Sequence, residues 1–505
     1  MARFLRFNAP QALWDGREAI REELFSVERL EAHARSLAAA QVVSTNRSKS
    51  PGLASRLADN GAALLVAYQS ISKAVDAGHA ITPAAEWLID NYHLVEKQFR
   101  EVRSDLPSGY YRQLPKLADG PFAGYPRVLG IGWAFVAHTD SRFDQEMLRR
   151  FILAYQDVQP LTIGELWALS ITLRIVLVEN LRRLADKVVQ SRADRKAAND
   201  FADRLLGTGS IVAEPLAHVL AGWQDKPVIN AFAVQVLQRL RDQDARIIPA
   251  LNWLEARLAD RKTTPDEVVS DEHLRQGAAT VTVSNIISSL RMITSVDWSD
   301  VFESISLVHM ALASDPAFLT MDFTTRNLYR SAIEELARGS RRTEMELAQD
   351  ALDAAAHARA QNGENAPAGA RGPGYYLIGR GRESIEQSIG FRPAWGMRVR
   401  RWCRWPGIGG YASAIVIGAL GFLAVALLMV SGAGATPGWL ALLGLLGFIP
   451  VSDSAVSLVN CVVTRIVGPS ALPGLDLRSG IPDSLRTLVA VPTLLTSPEG
   501  VAAAA

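Results

Sequence analysis

The sequence has few cysteines and almost no net charge. Cys403 and Cys461 are the only cysteines among 505 residues, which is too few for a disulfide framework or a four-cysteine zinc site. The 53 basic and 52 acidic residues give a formal net charge of +1, so no overall field favours a polyanionic partner. The amino-terminal stretch also lacks the apolar core of a secretory signal. These absences predict a chain in a reducing compartment that does not bind nucleic acid.

Catalytic and phosphate-binding motifs are also lacking. The glycine-rich strings GIGG and GAGATPG flank long apolar runs and do not form a Walker-type loop. The only Asp-x-Asp, Asp242-Gln243-Asp244, lies in a helical pattern with arginine on both sides and no preceding strand, and we interpret it as a chance occurrence. We therefore assign no catalytic, cofactor-binding or metal-ligating residue, and the sequence leaves enzymatic activity undecided.

Long uncharged runs are present near the carboxyl end. Residues 411–431 contain no charged side chain, and a helix of this length spans roughly 31 Å, the thickness of the hydrocarbon core. A second apolar segment, 438–467, is predicted to be a helix kinked at Pro450. The two segments predict a transmembrane hairpin.

Polar residues recur on one face of the second apolar segment. Beyond Pro450 they follow the helical period, as Asp453, Ser457, Asn460 and Thr464. Such a stripe predicts that this half either lines a protein interface within the bilayer or lies along the membrane surface. The sequence leaves both alternatives open.

A basic and aromatic juxtamembrane segment, 375–410, precedes the hairpin. It contains five arginines and three tryptophans in a short stretch, namely Arg392, Arg398, Arg400, Arg401, Arg404, Trp395, Trp402 and Trp405. Basic residues beside a span remain cytoplasmic and tryptophan prefers the membrane interface, so both termini are predicted to be cytoplasmic. Binding of an anionic lipid or a nucleotide is the alternative role for these arginines.

Residues 1–359 show helical periodicity almost throughout, which predicts an all-α fold with a multi-helix cytoplasmic domain. One helix of about 30 residues is predicted to begin at a Thr162 cap. Arg174 and Glu179 lie inside its apolar part and argue against a membrane span. The composition of residues 360–374 predicts a flexible linker.

Two polar groups in the helical domain could serve a site. His138 and Asp140, followed by Arg142 and Asp144, end a segment rich in aromatics, proline and glycine. An acid/base or metal pair is one interpretation, but no third ligand accompanies it. We favour an irregular connector whose aromatics fill gaps and whose polar residues cap the next helix.

The second polar group comprises Asp322, Arg326, Arg330 and Glu334. A charged pocket is one interpretation. The last three stand at i, i+4 and i+8, the ordinary spacing of a salt-bridged helix face. We therefore predict a solvated or interdomain face.

Six segments in constant order, followed by the hairpin, resemble the amino-terminal part of bacterial cyclic β-1,2-glucan synthases. The resemblance covers roughly residues 20–500. The segments are PAAEWLIDNYHLVEKQFRE, LPSGYYRQLPKL, PRVLGIGWAFVAHTDSRFD, PLTIGELWALSITLRIVLVENLRRLA, MDFTTRNLYRSAIEELARGS and GPGYYLIGRGRESIE.

The resemblance implies a very large inner-membrane enzyme. Its glycosyltransferase family 84 domain would use UDP-glucose and a divalent metal, and a distant phosphorylase-like domain would set chain length. Residues 468–505 would then be a truncated start of the glycosyltransferase domain, with Thr487–Val491 as an orphan first strand. On this basis we expect a fragment whose cofactors, UDP-glucose and metal, bind only in the complete enzyme.

Three functions are compatible with these observations. The first is a non-catalytic scaffold and inner-membrane anchor whose partners are the lipid bilayer and the missing glycosyltransferase and phosphorylase-like domains. The second is a self-standing, membrane-tethered interaction or carbohydrate-binding protein, which requires a groove lined by exposed aromatics. The third is a helical glycosidase or phosphorylase, which requires two facing carboxylates roughly 5–9.5 Å apart.

Overall fold

A computed structural model describes most of the chain. The described residues are 14, 16–44, 52–105, 110–208, 213–224, 226–241, 247–362, 372–405, 407–468, 472–477, 480–481 and 483–485. Asp242-Gln243-Asp244, the predicted strand Thr487–Val491 and most of the predicted linker 360–374 lie outside them.

The described residues confirm the all-α prediction, and the chain divides into two units, Met1–Leu307 and Val308–Ala505. The first contains α1 Val27–Ala40, α2 Leu53–Asp76, α3 Pro83–Asp90, α4 Tyr92–Asp105, α5 Tyr110–Gln113, α6 Arg127–His138, α7 Gln145–Gln156, α8 Ile163–Leu206, α9 Leu216–Ala221, α10 Asn230–Leu240, α11 Ile248–Asp260, α12 Pro265–Ser295 and α13 Trp298–Ile305. Strand β1, Val43–Ser44, pairs antiparallel with β2, Lys116–Leu117.

The remaining helices belong to the second unit, with the first of them beginning at the boundary. They are α14 Leu307–Leu312, α15 Pro316–Leu319, α16 Phe323–Gly339, α17 Glu344–Asn362, α18 Pro373–Leu377, α19 Arg382–Ser388, α20 Trp395–Arg404, α21 Gly407–Gly432 and α22 Pro437–Ile466. A short 3₁₀ turn at Asp483–Leu485 follows.

Helix α8 forms the centre of the first unit, where it packs against α2, α6, α10 and α12. The predicted cap is confirmed, because Thr162 and Glu165 form a reciprocal capping box. The helix has 44 residues rather than about 30, since no glycine or proline interrupts it between Gly164 and Gly207. Gly207 ends it with a φ of 65°, in the left-handed region that glycine adopts without steric penalty.

Two helices in the second unit are long and apolar enough to span a bilayer, namely α21 and α22. They contain the predicted segments 411–431 and 438–467, and Pro450 lies inside α22. The kink at Pro450 stays a prediction. No other described helix meets the same criteria of length and hydropathy, which agrees with the argument against a span in α8.

Residues after the hairpin contact α16 within the second unit. Leu475 forms an antiparallel bridge with Met321. The Asp322 amide donates to the Gly474 carbonyl at 3.2 Å, and the Gly474 amide donates to Thr325 Oγ1 at 2.7 Å. Part of the segment predicted to start a glycosyltransferase domain is therefore hydrogen-bonded to the amino-terminal end of α16.

Candidate functional site

His138 and Asp140 are close in sequence but have different partners. His138 is the last residue of α6, and its ring stacks on Phe25 with centroids 3.9 Å apart. Its Nδ1 lies 2.8 Å from the Glu23 carbonyl, and its Nε2 lies 3.2 Å from Glu22 Oε2. These contacts attach the segment before α1 to the end of α6, so His138 has a packing role.

Asp140 belongs to a turn that α12 holds in place. Asp140 and Ser141 have φ values of 49° and 63°, which are unfavourable for residues other than glycine. Thr282 donates to Asp140 Oδ1 at 2.6 Å, Asn285 donates to the Asp140 carbonyl at 3.0 Å, and Ser289 donates to the Ser141 carbonyl at 2.8 Å. The turn between α6 and α7 is thus a structural joint, and these contacts favour neither acid/base chemistry nor metal binding.

The sequence contained a signal for this joint. Thr282, Asn285 and Ser289 stand at i, i+3 and i+7 on α12, which places them on one helix face. A polar face within an otherwise apolar stretch indicates a polar partner.

The prediction for the connector before α7 was partly wrong. Asp144 caps α7 as expected, accepting from the Met147 amide at 2.8 Å. However, Arg127–His138 is a regular helix, and nearly all of its side chains are buried. Because Gly130 and Gly132 let α6 approach Gln41 and Thr172 closely, the glycines that suggested an irregular segment instead permit tight helix packing.

A buried ionic cluster lies on α8, where the sequence had indicated only two isolated charges. Glu179 is fully buried and accepts from Arg56 Nη2 at 2.9 Å and from Arg183 Nε at 2.8 Å. Arg182 Nη2 lies 3.0 Å from the same carboxylate. The guanidinium of Arg183 also lies 5.0 Å from the Trp133 ring centroid, a cation–π distance.

The electrostatics of this cluster keep Glu179 ionised. Burial by itself would raise the pKa of the Glu179 carboxyl, but hydrogen bonds from Arg56 and Arg183 outweigh burial and lower that pKa below 4.5. A carboxylate held in this form cannot donate a proton at neutral pH. The cluster therefore joins α2 to α8 and does not resemble a general acid.

The prediction for Asp322, Arg326, Arg330 and Glu334 was partly wrong. Asp322 caps α16 by accepting from the Thr325 amide at 2.9 Å, and Glu334 pairs with Arg338 rather than with Arg330. Arg330 is fully buried, with its guanidinium 5.1 Å from the Phe323 ring centroid. The prediction of a solvated face is therefore wrong at Arg330, whereas the interdomain alternative stays a prediction.

Charged residues line a surface groove of about 420 Å³ between α1 and α7. They pair with one another, as Arg150 with Glu31 at 2.6 Å, Arg149 with Glu146 at 2.7 Å and Arg35 with Asp157 at 3.0 Å. No aromatic side chain lines this groove. Within the described ranges no group of three or more His, Cys, Asp or Glu side chains could hold a metal ion.

Aromatic side chains of α8, α10, α11 and the turn after α9 stack on one another. Trp223 and Phe232 stack with centroids 4.0 Å apart, and Trp253 and Phe201 stack at 5.7 Å. Phe201 and Phe232 belong to a buried cluster, and the two tryptophans are half-buried where they pack against it.

Small residues and a polar contact lie between the two apolar helices α21 and α22. A Cβ placed on Gly418 would lie 3.6 Å from the Ala455 Cβ, so the two backbones approach closely there, as small residues permit in membranes. Tyr411 donates to Asn460 Oδ1 at 2.7 Å. All four residues of the predicted polar stripe, Asp453, Ser457, Asn460 and Thr464, are exposed, and Asn460 contacts the partner helix through Tyr411.

The arginines before the hairpin do not all have the same surroundings. Arg401 donates to Glu386 through Nη1 at 2.8 Å and through Nη2 at 2.5 Å. Arg398 and Arg400 are exposed. Arg401 thus attaches α20 to α19, although its side chain is also 45% exposed.

Comparison with known proteins gives one informative match. No family model matches the chain. The chain is 36% identical over 489 residues to the cyclic beta-(1,2)-glucan synthase NdvB of Rhizobium meliloti (strain 1021), which is 95% of this chain and 17% of that protein. The predicted resemblance to the cyclic β-1,2-glucan synthases is confirmed. The chain spans about one sixth of the length of the curated relative that it matches.

Proposed function

We propose that this chain supplies the helical scaffold and membrane anchor of a cyclic β-1,2-glucan synthase, corresponding to its amino-terminal part. The observation that carries the proposal is the match itself, which covers 95% of this chain and 17% of the synthase. The two apolar helices support membrane association, and we assign them to the inner membrane with both ends of the hairpin in the cytoplasm.

Three properties of the described residues support a non-catalytic role. The polar residues singled out by the sequence serve in capping, turn formation and helix attachment. The buried carboxylate Glu179 is neutralised by arginines. Phe201 and Phe232, at the centre of the aromatic cluster, are buried. Glucosyl transfer from UDP-glucose, with its divalent metal, is accordingly assigned to other parts of the synthase.

A chimera tests this proposal. This chain replaces the matched 489-residue region of the Rhizobium meliloti synthase, and membranes from a synthase-deficient strain are supplied with labelled UDP-glucose. We expect the chimera to make cyclic glucan and this chain alone to incorporate no label, because the described residues contain no group of side chains that could hold the metal.

This chain alone, with residues 407–466 deleted, serves as the matched control for anchoring, and we expect it to lose the membrane association that the intact chain shows. Incorporation by this chain alone above a heat-inactivated control would overturn the non-catalytic assignment. An inactive chimera that is folded and membrane-bound would contradict the scaffold role.

A further inference from the structure

Helix α20 is not continuous with the first apolar helix. It ends at Arg404, and α21 begins at Gly407, which has a φ of 56°. This left-handed conformation, which glycine tolerates, interrupts the helical path. Only two residues separate α20 from α21, so α20 lies next to the end of the apolar helix and need not follow its axis.

Helix α20 has an apolar strip and a basic remainder. With 3.6 residues per turn, Trp395, Val399 and Trp402 fall within an arc of about 60°. Arg398 and Arg400 lie outside that arc. Trp395 and Trp402 are 80% and 73% exposed, so the strip has little cover from the described part of the chain.

The orientation of α20 is fixed from one side. Glu386 of α19 accepts from Arg401 at 2.5 Å and from Arg382 Nε at 2.9 Å. Burial would raise the pKa of Glu386, but the hydrogen bonds from Arg401 and Arg382 lower it, so the carboxylate remains charged. The Arg392 amide also donates to the Gly339 carbonyl at 2.8 Å. Arg401 is paired with Glu386, whereas Arg398 and Arg400 are exposed, with Arg398 Nε donating to the Pro393 carbonyl at 3.1 Å.

We propose that α20 is an interfacial helix that binds the anionic phospholipid headgroups of the bilayer crossed by α21 and α22. Trp395 and Trp402 insert at the boundary between headgroups and acyl chains, where tryptophan is favoured. Arg398 and Arg400 bind lipid phosphates, whose geometry the guanidinium group matches. The adjacency to α21 and the charge complementarity favour lipid over any other occupant of this face.

Electron paramagnetic resonance tests this proposal on the full chain. Cys461→Ser leaves Cys403 on α20 as the single cysteine, which carries a nitroxide label. The chain is reconstituted in vesicles of phosphatidylcholine alone or with 30% phosphatidylglycerol, and the accessibility of the label to oxygen and to a water-soluble nickel complex is measured. We expect the label to become buried in the anionic vesicles and to lose that burial at high salt.

A variant without the charges of Arg398 and Arg400 tests whether these arginines bind the anionic lipid. Each basic residue near an anionic surface shifts the equilibrium by roughly fivefold, so Arg398→Gln with Arg400→Gln should lower the ratio of docked to undocked helix by roughly 25-fold. The matched control is Arg100→Gln with Arg103→Gln, which removes two exposed charges from α4 in the other unit. We expect the control to leave the accessibility of the label unchanged.

Three results would overturn the proposal. Equal accessibility of the label in both vesicle types would show that anionic headgroups do not bind α20. If the α4 control changed the accessibility of the label as much as the α20 variant does, the change would be due to the net charge of the chain and not to Arg398 and Arg400. Dipolar broadening between labels on different molecules would assign the tryptophan face to a second copy of the chain. Circular dichroism of each variant confirms that the helical fold is retained, and none of these results depends on synthase activity.

Discussion

At the scale of single residues, buried polar and charged side chains hold neighbouring segments together. Glu179 joins α8 to Arg56 of α2, and Thr282 of α12 holds the strained residue Asp140. Glu179, Thr282 and Asp140 are buried, and each has a charged or hydroxyl partner. Losing one partner of a buried charge costs far more than losing an exposed ion pair, because the remaining charge stays desolvated.

Replacement of Glu179 tests how much a buried charge contributes to stability. Glu179→Gln removes the charge that neutralises Arg56 and Arg183, and we expect a loss of about 3–5 kcal/mol in the free energy of unfolding. The measurement is chemical denaturation of the detergent-solubilised chain followed by circular dichroism. Asp186→Asn is the control, because Asp186 also pairs with Arg182 but its side chain is 50% exposed. It should lose less than about 1 kcal/mol.

The effect of Glu179→Gln on the free energy of unfolding should depend on pH. The pKa of Glu179 is lowered in the folded chain from 4.5, so its stabilising contribution is fully present above the unfolded pKa and is lost as the pH falls through the folded pKa. The difference in unfolding free energy between the wild-type chain and Glu179→Gln should therefore be constant near pH 7 and shrink below about pH 4.5. A difference independent of pH would contradict the ionised state of Glu179.

At the scale of elements, the close approach of α21 and α22 depends on which glycine faces the partner helix. Gly418 faces Ala455, whereas nothing lies within 4 Å of the position where a Cβ on Gly421 would stand. Gly418→Leu should separate the two helices because its side chain has no space. Gly421→Leu is the matched control, with the same substitution one turn away, and should leave the pair intact.

Dipolar broadening between two nitroxides measures that separation. One label is attached to Cys461 and the other to an introduced Ile408→Cys, in a Cys403→Ser background. Broadening should persist in Gly421→Leu and disappear in Gly418→Leu. If both leucine variants keep the broadening, the packing of Gly418 against Ala455 does not hold the hairpin together.

On the scale of the whole molecule, the predicted topology places both ends of the hairpin on the same side of the membrane. The arginines before α21 and the loop without Lys or Arg between α21 and α22 favour a cytoplasmic location for both ends. Reporters fused after Gly434 and after Val467 test it. A periplasm-dependent reporter should be active only after Gly434, and activity after Val467 would refute a hairpin that crosses twice.

Helix content, the two apolar helices and the basic segment before them were predictable from sequence alone. Periodicity, hydropathy and capping residues such as Thr162 act on neighbouring residues, so their effects can be read locally. The length of α8 was underestimated, although the uninterrupted stretch before Gly207 was visible. The confirmed resemblance to the glucan synthases likewise rests on ordered segments rather than on any folded site.

Only the tertiary structure decided which polar residues meet. Arg56 and Glu179 are 123 positions apart, and Ser141 and Ser289 are 148 positions apart. Arg330 has a helical spacing that suits a solvated face, yet it is buried. The burial of a side chain depends on the elements that pack over it, and those contacts are set by the arrangement of distant helices. Local spacing therefore determined the helices, whereas the packing between them determined the environment of each charge.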